Sequence, residues 1–119
     1  MGNNVKAFCR IREIHKAVCD IETRLEHEFG VNLNECILLC LLSSEGSLSS
    51  GDIAEKMGLT HSNASKVIRS AENKGLVERS LGSCDKRQMY FSVTASGADK
   101  LGTVDAGVWE WPECIGRLL

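Results

Sequence analysis

Proline is almost missing from this 119-residue chain: Pro112 is the only one. Proline interrupts helices, so its scarcity leaves nearly the whole chain open to helix formation. Long apolar runs are also missing. The longest is Cys36 to Leu42, well short of the ~20 residues a membrane helix needs. The opening residues Met1-Gly2-Asn3-Asn4-Val5-Lys6 have no apolar core of the kind a secretory signal requires. Lys6 stands where a myristoylation signal needs Ser or Thr. A cytoplasmic location and no membrane partner are therefore expected. There are six cysteines but no CxxC pair. In a reducing compartment these are expected to stay thiols. Repeats, low-complexity segments and a linker are absent as well. With 43% hydrophobic and 25% charged residues, the expectation is one folded domain spanning residues 1–119.

The net charge of −2 argues superficially against nucleic acid. Its distribution argues otherwise. Residues 1–59 hold 6 basic and 9 acidic residues, and residues 91–119 hold 2 basic and 4 acidic. Between them, residues 60–90 hold 6 basic and 3 acidic residues. A short basic stretch inside an acidic frame matters more for binding than the total.

Val5, Phe8, Ile11, Ile14, Val18, Ile21, Leu25 and Phe29 recur every three or four residues, which predicts a helix over 5–29 stopped at Gly30. At ~37 Å it is longer than one small core needs, so part of it is free for a partner. Asn32 with Glu35 three residues on predicts the cap of a second helix. Its run from Cys36 to Leu42 is apolar all round and predicts burial on every side, with Cys36 and Cys40 in the core. Ser43 to Ser47 is expected as a turn. Ser49 followed by Asp52 predicts a capping box at a short third helix ended by Gly58. Thr60 predicts the cap of a fourth helix from His61 to about Lys74, stopped by Gly75. Residues 76–81 and 89–93 predict two strands joined by a polar connection, and Thr94 a final helix carrying Ala98, Leu101 and Val104 on one face.

On a wheel, the fourth helix separates Ala64, Val67, Ile68 and Ala71 from Ser62, Ser65, Lys66, Arg69 and Asn73. The polar side has no acid. Lys and Arg suit phosphates or guanine, and Asn and Ser suit base edges. His61 and Asn63 flank the helix start, where the dipole and backbone amides favour phosphate. A short helix, a tight turn, a second helix and a hairpin with a basic tip make the winged helix-turn-helix order. The expected class is thus mainly α (α+β): helix-turn-helix plus a two-stranded antiparallel wing over 49–94, with helical dimerisation elements at 5–29 and 95–119. Lys86 and Arg87 at the tip would reach DNA. Asp85 is expected to be structural, pairing with an Arg such as Arg87 to shape the wing.

The segments Gly51-Asp52-Ile53-Ala54-Glu55-Lys56-Met57-Gly58-Leu59-Thr60, Ser65-Lys66-Val67-Ile68 and Lys74-Gly75-Leu76-Val77-Glu78-Arg79 resemble the MarR family of bacterial transcriptional regulators. So does Asp85-Lys86-Arg87 followed by Val93-Thr94 and Gly97, which is similar to that family's D-x-R…L-T-x-x-G pattern with Val93 in place of Leu. The resemblance covers about residues 31–101. It implies a homodimeric regulator of double-stranded DNA, usually a repressor, acting on a palindromic or pseudo-palindromic site. The helix from His61 would enter the major groove, Arg87 would be the wing arginine, and a small-molecule effector would bind between the dimerisation region and the DNA-binding lobe. Ala95 and Ser96 depart from the acids usual after the Thr.

Other readings start from particular residues. The same fold can serve as a protein-interaction module without DNA. A thiol-based redox sensor would use Cys84, beside Lys86 and Arg87, or Cys9 on the first helix. Trp109 and Trp111 suit a dimer contact or the walls of a ligand pocket, the former favoured. His15, His27 and His61 have no ligand spacing, so neither a metal nor another cofactor is expected. No nucleophile–base pairing, phosphate loop or paired-carboxylate motif suggests an enzyme.

Overall fold

In the computed structural model, which describes residues 2–82 and 88–119, four side chains start helices by accepting a backbone N–H. Asn32 accepts from the Glu35 amide and Glu35 returns a bond to the Asn32 amide, both at 2.8 Å. Ser49 accepts from Asp52 at 3.2 Å, Thr60 from Asn63 at 3.1 Å, and Thr94 from Gly97 at 3.0 Å. At Ser49 this is a single cap; the reciprocal half of the expected box is not among the bonds found there. Each cap offsets one of the orphan donors a helix start exposes.

The elements follow as α1 (Asn3–Phe29), α2 (Leu33–Glu45), β1 (Leu48–Ser49), α3 (Ser50–Met57), α4 (His61–Asn73), β2 (Val77–Leu81), β3 (Met89–Val93), α5 (Ala95–Ala106) and α6 (Glu113–Gly116). The hairpin β2–β3 is antiparallel, with Val77 opposite Val93 and Leu81 opposite Met89. It belongs to a three-stranded sheet in the order β1-β3-β2, so the expected two-stranded wing gains a strand. Leu48 pairs with Phe91 and Ser49 with Tyr90. Two residues are too few for period-two alternation to show. Likewise, α2 runs on through Ser43–Glu45, where a turn was expected, and the tail adds α6.

Leu38, Leu39, Leu42, Ile53, Ala64, Ile68, Ala71 and Phe91 are buried and join α2, α3, α4 and β3 in one core. Helix α2 is not buried on every side. Ile37 is 43% exposed, Cys40 is exposed and Cys36 half-buried. This corrects the placing of Cys40 in the core, while Cys36 packs against the core's edge. One apolar run can face two ways: Leu38, Leu39 and Leu42 meet the core, Cys36 and Leu41 pack at its edge, and Ile37 and Cys40 face outward. Burial pushes the Cys36 thiol up, and the neighbouring Cys40 adds to the effect.

Long α1 contributes Ala17 and Leu25 to the buried set, whereas Val5, Phe8 and Ile11 on its N-terminal half are 45%, 69% and 59% exposed. Among the described residues no helix is long and apolar enough to cross a membrane.

The Thr-x-x-Gly spacing after β3 has a direct physical basis. Thr94 caps α5 and also donates its hydroxyl to the Gly75 carbonyl at 2.6 Å. Its amide donates to the Leu76 carbonyl at 3.1 Å. One residue, through its hydroxyl and its amide, thereby ties the α4–β2 junction to the start of α5. Thr94→Val keeps the shape and loses both hydroxyl bonds. It should cost about 1–2 kcal/mol, read as a lower urea midpoint. An unchanged midpoint would show that water replaces the hydroxyl.

Candidate nucleic-acid interface

The hydrophobic side of α4 fixes which side is left for a ligand. Ala64, Ile68 and Ala71 are 1%, 3% and 0% exposed. This anchors the helix and turns His61, Ser62, Asn63, Ser65, Lys66 and Arg69 outward, all six exposed. The surface carries hydroxyls, an amide, an imidazole and two cations, and no carboxylate. The His61 ring lies near the first turn of α3, since a Cβ on Gly51 would sit 4.0 Å from its Cε1.

Two of the basic residues that give 60–90 its positive balance do not belong to this surface. Arg79 on β2 donates to Glu72 of α4 through Nε and Nη2, at 2.8 and 2.6 Å, and lies 5.6 Å from the centroid of the Phe91 ring across the strand pair. The Arg79 hydrogen bond and charge hold the Glu72 carboxyl below its usual range, with Arg69 adding a smaller effect. Lys74 turns back toward α2. Its ammonium donates to Glu35 at 2.7 Å and to the Gly30 carbonyl at 3.0 Å. What remains outward on α4 is Lys66 and Arg69. Cys84, Asp85, Lys86 and Arg87 lie outside the described residues.

Glu35 is the residue that sequence reading assigned too little. It is completely buried. Besides closing the cap of α2 it accepts from Lys74 and, at 2.7 Å, from the Ser70 hydroxyl. Burial alone would raise its pKa. The bonds from Lys74, the Asn32 amide and Ser70, together with the Lys74 charge, outweigh burial and hold it below the usual carboxylate range. The capping motif was visible, but partners 35 and 39 positions away were not.

The tail returns to α1. Trp109 stacks on Phe29 and on Trp111, each at 5.7 Å between centroids. The Arg24 guanidinium lies 4.2 Å from the centre of the Trp109 ring, and the indole N–H donates to the Val104 carbonyl at 2.9 Å. Both tryptophans line an open, mainly apolar cleft of about 330 Å³ with Val18, Leu25, Cys36 and Val104. Cys9 is exposed on α1. No group of three or more His, Cys, Asp or Glu converges as a metal site among the described residues.

This architecture has known counterparts. Helices α2, α3 and α4 and strand β2 fall inside residues 29–88, the segment that matches the family model described as "MarR family". The curated relative YfiV of Bacillus subtilis, named an uncharacterized HTH-type transcriptional regulator, is 39% identical over 67 residues, 56% of this chain and 42% of that protein. This chain spans about half the length of the curated relatives it matches, 42% and 57% for the first two. In fold it is similar to the MepR of S. aureus solved as a DNA complex (TM-score 0.74, 22% identity, 84% of this chain and 74% of that one). It is also similar to a mutant MarR of E. coli complexed with operator DNA (TM-score 0.69, 16% identity, 87% and 76%). The wing hairpin, the capped helix pair before it and a family match over half its length agree: the chain belongs to the MarR family.

Proposed function

We propose that this chain is a sequence-specific, double-stranded DNA-binding transcriptional regulator, a repressor in its simplest use, that works as a cytoplasmic homodimer. The observation that carries the reading is the outer face of α4: six exposed polar or basic residues, no acid, and a buried apolar face opposite. The MepR and MarR structures of the same fold were solved with DNA. In this assignment Lys66 contacts phosphate. Ser62, Asn63, Ser65 and Arg69 discriminate bases, and His61 lies beside the backbone at the helix start. Lys86 and Arg87 serve the wing, with Asp85 holding its shape.

The exposed Val5, Phe8 and Ile11 on α1 support self-association through residues 5–29, together with 95–119. Two copies of α4 would then enter successive major grooves about 34 Å apart on a palindromic or pseudo-palindromic site. A small effector that binds one lobe spacing better would shift the equilibrium by that difference in affinity. The cleft beside Trp109 and Trp111 is the place we assign to it.

Fluorescence anisotropy with random duplex at rising salt, then with a pool of selected sequences, tests the reading. Affinity is expected to fall steeply with salt, and the pool to converge on a palindrome. Arg69→Ala should cost about 1–3 kcal/mol of discrimination at the positions it reads. Arg87→Ala should weaken specific and random DNA alike. No binding at low salt would overturn the reading in favour of an interaction module.

A further inference from the structure

The far end of α4 is held by a buried charge, and a buried charge is a poor device for stability alone. Taking an ion pair out of water costs about as much as the attraction returns, and well-packed apolar residues often do as well. What a fully buried carboxylate does supply is direction. Glu35 accepts three bonds, from the Asn32 amide, Lys74 and Ser70, at 2.8, 2.7 and 2.7 Å. Ser70 and Lys74 sit one turn apart on the flank of α4, in the same row as Lys66. Lys74 also grips the Gly30 carbonyl at the end of α1, and Lys100 of α5 grips the adjacent Phe29 carbonyl at 2.8 Å. These orphan carbonyls at a helix C-terminus attract cations. On the other flank, Glu72 is clamped by Arg79 of β2. The last turn of α4 is therefore tied to α1, α2 and β2, whereas its first turn, about 18 Å away, carries the exposed His61, Ser62 and Asn63, with Ser65, Lys66 and Arg69 between the two. A tilt of about 10° about the last turn would move that first turn by about 3 Å, the length of a hydrogen bond.

We propose that Glu35 is a positioning residue for base discrimination: the Glu35–Lys74–Ser70 node sets the tilt of α4 against the α1–α2 corner. Ser62, Ser65 and Arg69 then meet base edges in a single register. The node also makes α4 move with α1. The proposal rests on the DNA-binding reading above and assigns a role to a residue that touches no DNA.

Three variants test it: Glu35→Gln, Lys74→Met and the two combined. Each is measured for thermal melting, for affinity to random duplex, and for affinity to the palindrome selected by the unchanged protein. Glu35→Gln keeps the shape but turns one of the two acceptor oxygens into an amide donor and leaves Lys74 without its charge partner. It should lose about tenfold on the palindrome, the scale of one mismatched base pair, and stay within about twofold on random duplex. Lys74→Met strands the carboxylate and should melt lower. The double variant has no buried charge, so it should recover the melting temperature lost in Lys74→Met while discrimination stays low. Unchanged discrimination in Glu35→Gln would overturn the proposal. So would a double variant that recovers discrimination together with stability. If the unchanged protein binds no duplex, or its pool does not converge, the DNA-binding reading itself fails and takes the proposal with it.

Discussion

Gly97→Ala is expected to unfold or severely destabilise the domain, although it adds one methyl group and alanine is the better helix former. An ideal Cβ at position 97 would lie 2.2 Å from the Leu76 carbonyl oxygen, 3.1 Å from its carbon and 3.3 Å from Leu39 Cδ2. The first two atoms are backbone, so no rotamer change relieves the clash. Relief requires moving α5 away from the α4–β2 junction. The Leu76 carbonyl also accepts from the Thr94 amide, and the Gly97 amide donates to the Thr94 hydroxyl, so any shift strains the cap as well. The helix-propensity gain of about 1 kcal/mol is outweighed by overpacking of about 3 kcal/mol or more. Gly102, on the same helix, has nothing within 4 Å of its Cβ position, and Gly102→Ala should be neutral or stabilising. Urea denaturation of the two variants checks this. Equal midpoints would mean that α5 shifts freely and that the close approach has no energetic consequence.

Lys74→Met should destabilise the fold by about 3 kcal/mol at neutral pH, the usual cost of leaving a buried carboxylate without its cation. The stronger test is the pH dependence, which should change sign. In the unchanged protein the Glu35 pKa is lowered, so its stabilisation is complete above the unfolded value of about 4.3. It is lost as pH falls through the lowered folded value. In Lys74→Met the bonds from Asn32 and Ser70 remain, but the ammonium's hydrogen bond and charge do not. Burial is then opposed only by those two bonds, and the expected result is a folded pKa above the unfolded one. Ionised Glu35 becomes a cost that acidification removes. The stability gap between the two proteins should therefore narrow from pH 7.5 to pH 5.5. Ionisable groups common to both proteins cancel in the difference. A constant gap across that range would show that water solvates the carboxylate once Lys74 is gone.

Most elements were legible because the interactions that start and stop them are local. The Asn32, Ser49, Thr60 and Thr94 caps each bond an amide three residues on, so a single letter and its spacing announce them. The amphipathic division of α4 is likewise a matter of angle along one helix, and Ala64, Ile68 and Ala71 turned inward as the wheel required. The T-x-x-G pattern was recognised as a motif, but its reason, the Leu76 carbonyl against Gly97, was not visible. Strand β1 exists because β3 offers it an edge, and two residues carry no pattern of their own. The run Cys36–Leu42 was misjudged for a related reason. Hydrophobicity all round a helix says that every face could be buried, not that the chain supplies a neighbour for each.

Residue types and their spacing along the chain thus determined the helices, their caps, the polar face of α4 and the family resemblance, since all of these depend on neighbours a few positions apart. Which charges stay outward was decided only when the chain folded. Lys66, Arg69, Lys74 and Arg79 are equivalent as letters. Two of them meet a carboxylate, Glu35 or Glu72, brought beside them by α2 or by the turn into β2. A cation's role depends on where the nearest carboxylate lies, and packing sets that distance.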